Sequence, residues 1–236
     1  MYLTVLGSNG LYPTPGRACS GYLLESDSGN TRIVIDMGSG TLERLISIAK
    51  PDEISGLVLS HLHYDHMSDA LVYKYLLQFS AVESVRLICP STPANEFKLL
   101  QGGKLDTYPM QDMTLGEMEL EFIKVKHPIE AYAARVKCDG SVLVYTGDSN
   151  ECAELSIFCD GADLLLGDAG LLERNWKPSK PHLSAERLAK LALESRVGAL
   201  LATHLSPLNE PREILDELTK IYPSATLAEP GLRVRV

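Results

Sequence analysis

Apolar positions along this chain follow two rhythms. Short runs rich in Val, Ile and Leu alternate with stretches in which apolar residues recur every three or four positions. The first rhythm predicts strands at Leu3 to Leu6, Gly21 to Glu25, Arg32 to Ile35, Gly56 to Leu59, Val85 to Cys89, Glu119 to Val125, Ala133 to Lys137, Val142 to Tyr145, Leu164 to Leu166, Ala199 to Ala202 and Arg233 to Val236. The second predicts a helix over Ser184 to Ser195, where Leu188, Leu191 and Ala192 share a face, Arg187 and Lys190 lie off it, and Ser184 is placed to cap the N-terminus. Pro211 to Tyr222 repeats the pattern with Ile214, Leu215, Leu218 and Ile221 behind a first-turn proline. Weaker helical periodicity covers Thr41 to Ile48, Ser68 to Phe79 and Pro93 to Leu100.

Strands and helices interleaved in this way predict an α/β protein. No repeat, low-complexity tract or Pro/Ser linker interrupts the 236 residues, so one domain spanning 1–236 is expected. The strand pattern suits one mixed sheet with helices outside it, and equally two sheets back to back with helices on both outer faces.

Composition narrows the class. With 45% hydrophobic and 22% charged residues the chain has the balance of a folded, soluble protein. No apolar stretch approaches the roughly 18 residues of a membrane span, and no basic segment precedes an apolar one at the N-terminus. Five cysteines (Cys19, Cys89, Cys138, Cys152 and Cys159) form no C-x-x-C pair, which predicts core thiols in a reducing cytoplasm rather than disulfides or ligands. The formal charge of −9 opposes polyanionic partners and favours a compact small-molecule pocket over a long phosphate-tracking surface.

The chemistry is concentrated after the run Gly56 to Ser60, which leads into His61-Leu62-His63-Tyr64-Asp65-His66. Three imidazoles and a carboxylate this close repel one another when the histidines are protonated, and become compatible when neutral imidazoles share a divalent cation. His61 and His63 fall on one side of an extended backbone and can share an ion. Asp65 and His66, being adjacent, converge only if the chain has begun to turn, which suggests a loop feeding two neighbouring ions. Three further candidates, His127, Asp148 and His204, each end a predicted strand, where α/β proteins gather their sites. The sixth histidine, His182, lies just before the Ser184 helix.

H-x-H-x-D-H followed by a lone His, a Gly-Asp and a late His resembles the metallo-β-lactamase superfamily over nearly the whole chain. The flanking segments Gly7-Ser8-Asn9-Gly10, Ser20 to Leu24, Ile35-Asp36-Met37-Gly38-Ser39-Gly40 and His182-Leu183-Ser184-Ala185 are most similar to its short ribonuclease Z-like branch. The resemblance implies an αβ/βα four-layer sandwich, two mixed β-sheets with helices on the outer faces and the metal site on one edge. It implies two divalent ions, zinc before manganese or iron: His61, His63 and His127 on the first, Asp65, His66 and His204 on the second, Asp148 between them. It also implies a homodimer, and a phosphate-facing role for His182, with Asp168 standing where relatives carry a glutamate. One departure is plain. Only residues 128–147 separate His127 from Asp148, enough for a strand hairpin but not for the long tRNA-gripping arm of ribonuclease Z.

These features together predict a metal-dependent hydrolase acting on a small or cyclic phosphodiester through a metal-bridging hydroxide, with Asp65, His182 and Asp168 as catalytic residues. A tRNA 3′-end endonuclease is the nearest alternative, disfavoured by the acidic charge and the missing arm. Hydrolysis of a carboxylic ester, lactone or thioester, and a non-catalytic metal-binding scaffold, remain open as further classes. Tyr64, Tyr12 and Trp176 are candidates for lining a substrate pocket, and the basic segment Arg174 to Lys180, which directly precedes His182, is a candidate for binding phosphate.

Overall fold

In the computed structural model, which describes all residues 1–236, the chain builds two seven-stranded sheets in turn. The first half lays down β1 (Tyr2–Gly7), β2 (Gly21–Glu25), β3 (Arg32–Met37), α1 (Thr41–Ile48), β4 (Gly56–Val58), α2 (Tyr64–Leu77), β5 (Val85–Ile88), α3 (Ala94–Leu100) and β6 (Leu105–Tyr108). The second lays down β7 (Met113–Leu115), β8 (Met118–Lys124), β9 (Tyr132–Cys138), β10 (Ser141–Tyr145), α4 (Ala153–Cys159), β11 (Leu164–Asp168), α5 (Ala185–Glu194), β12 (Ala199–Thr203), α6 (Pro211–Thr219) and β13 (Thr226–Leu227). The last strand, β14 (Arg233–Arg235), returns to pair with β1. Sheet orders are β14-β1-β2-β3-β4-β5-β6 and β13-β12-β11-β10-β9-β8-β7. Both mix antiparallel and parallel pairs: β1, β2 and β3 run antiparallel, β3 to β6 parallel, β8 to β10 antiparallel and β10 to β13 parallel.

Side-chain alternation settles which of the two layer arrangements the chain adopts. Ile33 and Ile35 of β3 and Leu143 and Tyr145 of β10 meet in a core between the sheets. Their alternate neighbours face outward, Val34 into a core under α1 to α3 and Val144 into one under α4 to α6. Strands covered on both faces must be apolar on both, which is why their sequences read as runs rather than as alternation. The result is the four-layer αβ/βα sandwich. The helix over α5 matches its periodicity, and its Ser184 hydroxyl accepts the Arg187 N–H at 3.2 Å as the N-cap. Gly167 lets this helix close on β11, because a Cβ there would stand 2.2 Å from Leu188 Cδ1.

Five elements differ from expectation. The short strands β6, β7 and β13 lack a distinguishing apolar run and pair only at sheet margins. Helix α4, only seven residues long, also carries too little periodicity to be read. Most consequentially, α2 begins at Tyr64 rather than near Ser68, so Asp65 and His66 occupy its first turn and not a loop. No helix is long and apolar enough to cross a membrane. None of the five cysteines is in a disulfide, and none belongs to a metal-competent cluster.

Candidate metal centre

The candidate residues converge on one rim of the sandwich because the strands that precede them end there. His61 and His63 follow β4, Asp148 follows β10, Asp168 closes β11, and His204 follows β12. His127 comes three residues after β8, and the hairpin of β9 and β10 fills the interval to Asp148 with no room for an arm. Three groups of side chains have ligand atoms within 4.8 Å of one another: His61, His63, His127 and Asp148; Asp65, His66 and His204; and Asp148, Asp168, His182 and His204.

Hydrogen bonds behind the rings fix which nitrogens face inward. Asp36, buried at the end of β3, accepts the Ser60 backbone N–H at 2.7 Å on Oδ1. On Oδ2 it accepts the Ser60 hydroxyl at 2.8 Å, the Tyr145 hydroxyl at 2.8 Å and His66 Nδ1–H at 2.7 Å. His66 is thereby left with Nε2 free. The Ser60 hydroxyl has spent its one proton on Asp36, so at 3.0 Å it must accept from His61 Nδ1–H, and His61 Nε2 is free too. His127 Nδ1 donates to the Pro181 carbonyl at 3.4 Å. Consequently His61 Nε2 and His127 Nε2, each 3.1 Å from His63 Nδ1, share at most one proton between three nitrogens.

On the other side of Asp148, His204 Nε2 lies 3.3 Å from Asp65 Oδ2 and 3.2 Å from Asp148 Oδ2. His66 Nε2 lies 3.3 Å from Asp148 Oδ1, yet both atoms are buried without a hydrogen bond. These separations match the ligand-to-ligand edge of roughly 3.3 Å that tetrahedral bonds of ~2.0–2.1 Å would give. Converging lone pairs, two orphaned buried atoms and an all-nitrogen-and-oxygen donor set fit divalent metal ions.

The electrostatics point the same way. Burial, reinforced by the neighbouring His66, pushes His61 well below the usual imidazole range, and burial takes His127 down to about 4. These rings stay neutral and ready to ligate. Burial also opposes charge on His66 and His204, but the carboxylate of Asp148 with that of Asp36 raises the first well above its ordinary value, and Asp148, Asp168 and Asp65 raise the second to about 10. Without a cation these two rings hold protons in its stead. Burial opposes ionisation of Asp65 and Asp148 as well, yet the surrounding histidines hold both carboxyls below the usual range.

His182 stands apart from the seven. Its Nδ1 is 2.9 Å from Asp168 Oδ2, and Asp168 Oδ1 accepts the Gly170 N–H at 2.8 Å and lies 3.5 Å from His204 Nδ1. The shorter acid therefore reaches both rings. Burial lowers the charge preference of His182, but Asp168 outweighs it and raises the pKa above that of free imidazole.

The mouth is a cavity of about 330 Å³ lined by Leu11, Tyr64 and Pro128 with His63, His127, His182 and His204. Leu11 N–H caps Asp65 Oδ2 at 2.8 Å, and Gly10 lets that loop pass, since a Cβ there would fall 2.5 Å from His204 Cε1. Tyr64 lines the mouth as expected. Tyr12 and Trp176 do not: the Trp176 ring packs against the Arg187 guanidinium at 3.2 Å, and Arg174 pairs with Glu213 at the surface. Asp36 is a participant to which the sequence assigned no role. It sits in the segment Ile35 to Gly40 that carries part of the resemblance, and its left-handed backbone (φ 56°) hides it among turn residues.

Known proteins share this fold. A family model described as "Beta-lactamase superfamily domain" matches residues 31–205. The chain is 29% identical over 215 residues to "Probable metallo-hydrolase YhfI" of Bacillus subtilis, covering 87% of each. It superposes on the crystal structure of that metallo-beta-lactamase fold protein with a TM-score of 0.93 at 25% identity, covering 99% of both chains. Two more distant structures share the fold: human tRNase Z, short form (TM-score 0.80, 19% identity, 100% of this chain and 99% of that one), and a diphosphatase from the PhnP family (0.78, 20%, 100% and 97%).

Proposed function

The chain belongs to the metallo-β-lactamase superfamily, and on that premise we propose that it is a phosphodiesterase acting on a small or cyclic phosphodiester with two divalent cations, zinc before manganese or iron. His61, His63 and His127 would hold one ion, Asp65, His66 and His204 the other, with Asp148 between. The observation that carries the phosphodiester reading is His182, a histidine outside the seven, braced by Asp168 with Nε2 free at the wall of the same cavity.

When bound, the cation pair polarises a phosphoryl oxygen, offsets charge building on phosphorus and makes water a better nucleophile near neutral pH. The side chains account for the protons. A water oxygen forms the new bond to phosphorus while Asp65 accepts its proton. The bond to the leaving oxygen breaks with its electron pair, and that alkoxide takes a proton from His182. Asp168 keeps His182 protonated until then and holds the ring in orientation. A cavity of about 330 Å³ suits a nucleotide-sized ligand, and the charge of −9 with no arm between His127 and Asp148 disfavours a tRNA elbow. Ester, lactone or thioester hydrolysis makes less use of His182.

The test is hydrolysis of bis(p-nitrophenyl) phosphate and of 2′,3′- and 3′,5′-cyclic nucleotides by zinc- and manganese-loaded protein beside a metal-free control. Metal-dependent turnover of a diester supports the reading; its absence from protein holding two ions directs the search to carbonyl substrates.

The enzyme is a homodimer in this proposal, and the outer face of α2 is its contact. The exposed residues of α2 are Tyr64, Val72 and Tyr75, continued by Phe79 and flanked by Leu99 of α3, each more than half exposed. Together they offer on the order of 600 Å² of apolar surface, close to the ~800 Å² per partner of a standard interface. The charged residues Asp69 and Lys74 bond within the protomer, to Leu42 N–H and to the Leu99 carbonyl. A second copy, bringing the same uncharged stripe, is the matching partner.

A further inference from the structure

His182 is delivered by a strap, residues 173–182, whose only regular structure is one short turn at Glu173–Asn175. One fully buried side chain bonds that strap from beneath, while Lys126 donates to the Pro178 carbonyl, Arg174 pairs with Glu213 and Arg187 packs on Trp176 at the surface. Asn150 Nδ2 donates to the Lys180 carbonyl at 2.5 Å, and its second hydrogen is shared between the Lys177 and Pro178 carbonyls, both at 3.4 Å. Its Oδ1 accepts the Glu151 N–H at 2.7 Å and the Trp176 Nε1–H at 3.1 Å. Only donors face the oxygen and only acceptors face the nitrogen, so the amide has a single satisfied orientation.

The position of Asn150 gives this bonding its meaning. It follows Asp148 by two residues, and its backbone N–H bonds the Lys126 carbonyl at 3.0 Å, next to His127. Lys180, its strongest acceptor, precedes His182 by two residues, and Pro181 between them supplies the carbonyl behind His127 Nδ1. Three separate pieces of the site are thus joined through one residue, its backbone N–H reaching Lys126 and its side-chain amide the strap. A carboxylate of the same shape would oppose three carbonyls, and an alanine would leave them and the Trp176 N–H without their buried partner.

We propose that Asn150 is a positioning residue: it sets the strap so that His182 stands at the leaving oxygen, a role that rests on the phosphodiesterase reading above. The leaving group is the discriminating variable. p-Nitrophenolate departs without a proton, whereas the alkoxide of a cyclic nucleotide needs one. Displacing the donor therefore slows only the second reaction.

The experiment compares wild type, Asn150→Ala, Asn150→Asp and His182→Ala, all metal-loaded and well below their unfolding temperatures. In both Asn150 variants kcat for a 2′,3′-cyclic nucleotide should fall about 10–100-fold, with kcat for bis(p-nitrophenyl) phosphate and both KM values within about threefold of wild type. His182→Ala, which removes the donor itself, should lose activity on both substrates and show a larger loss on the cyclic nucleotide than on bis(p-nitrophenyl) phosphate. Hydrogen exchange at the bonded strap amides of Asn175, Trp176 and Lys180 should accelerate in Asn150→Ala while the sheets stay protected. Equal losses on both substrates, or unchanged protection of the strap, would overturn the proposal. If wild type cleaves neither diester, or His182→Ala shows no split, the phosphodiesterase reading fails instead, and the exchange data still decide whether Asn150 holds the strap.

Discussion

Replacing Asp36 by Asn tests whether the buried carboxylate behind the site determines metal binding. Asn tolerates the left-handed backbone at this position, so the change is electrostatic rather than conformational. Either orientation of the new amide sets two donors against each other: NH2 against His66 Nδ1–H, now 2.7 Å from Oδ2, or NH2 against the Ser60 backbone N–H, now 2.7 Å from Oδ1. The hydroxyls of Ser60 and Tyr145 can rotate to accept, but an imidazole can only move its proton to Nε2, the atom aimed at Asp148. Metal affinity at the Asp65, His66 and His204 group should fall about 10–100-fold, or ~1.4–2.7 kcal/mol, with the His61, His63 and His127 group little changed. In metal-free protein the same change strips a buried imidazolium of a partner, costing about 3–5 kcal/mol. For a chain of this size that lowers Tm by on the order of 10 °C. Because the folded pKa of His66 is raised, this stability is fully present below about pH 6.5 and is lost as pH rises through the raised value. The deficit should therefore be largest in mild acid and shrink in alkali. Competition with a chelating indicator and calorimetric unfolding across pH read both effects. Wild-type affinity for both ions together with an unchanged Tm would refute the reasoning.

Two further outcomes follow from the site and the surface. Since His66 and His204 carry protons in the cation-free site at neutral pH, loading should release about two protons per chain, and affinity should climb with pH toward 10. Titration calorimetry in buffers of different ionisation enthalpy counts them, and a count near zero at pH 7 would contradict the assignment. At the outer face of α2, Tyr75→Glu with Phe79→Glu should convert a dimer to a folded monomer in light scattering. A monomeric wild type would exclude the interface.

How much of this was legible in the chain varies with the range of the interactions involved. The His61 to His66 cluster declares itself because six consecutive residues hold four ligand-competent groups, and β4 before it is apolar on both faces. His127, Asp148 and His204 are visible as strand ends, although only folding brings them together. The start of α2 is obscured by the ligands themselves, since His63 provides no side-chain cap and the first turn carries functional residues where apolar periodicity would be sought. Asp36 and Asn150 were not assigned roles for a different reason. Their partners, Tyr145 and Lys180, lie far along the chain, and a lone Asp two residues before a glycine, or a lone Asn after a serine, looks like any turn residue until the sheets pack. The layer order likewise depends on which face of each strand meets the other sheet, a property that runs apolar on both sides do not encode.

The central claim is that two cations sit among the seven residues and that His182 and Asp168 remain free to handle protons. Anomalous diffraction from zinc- or manganese-loaded crystals tests it most directly. The account predicts two peaks, one among His61, His63 and His127, the other among Asp65, His66 and His204, both against Asp148. An ion coordinated by His182 and Asp168, whose ligand atoms also cluster with Asp148 and His204, would contradict it.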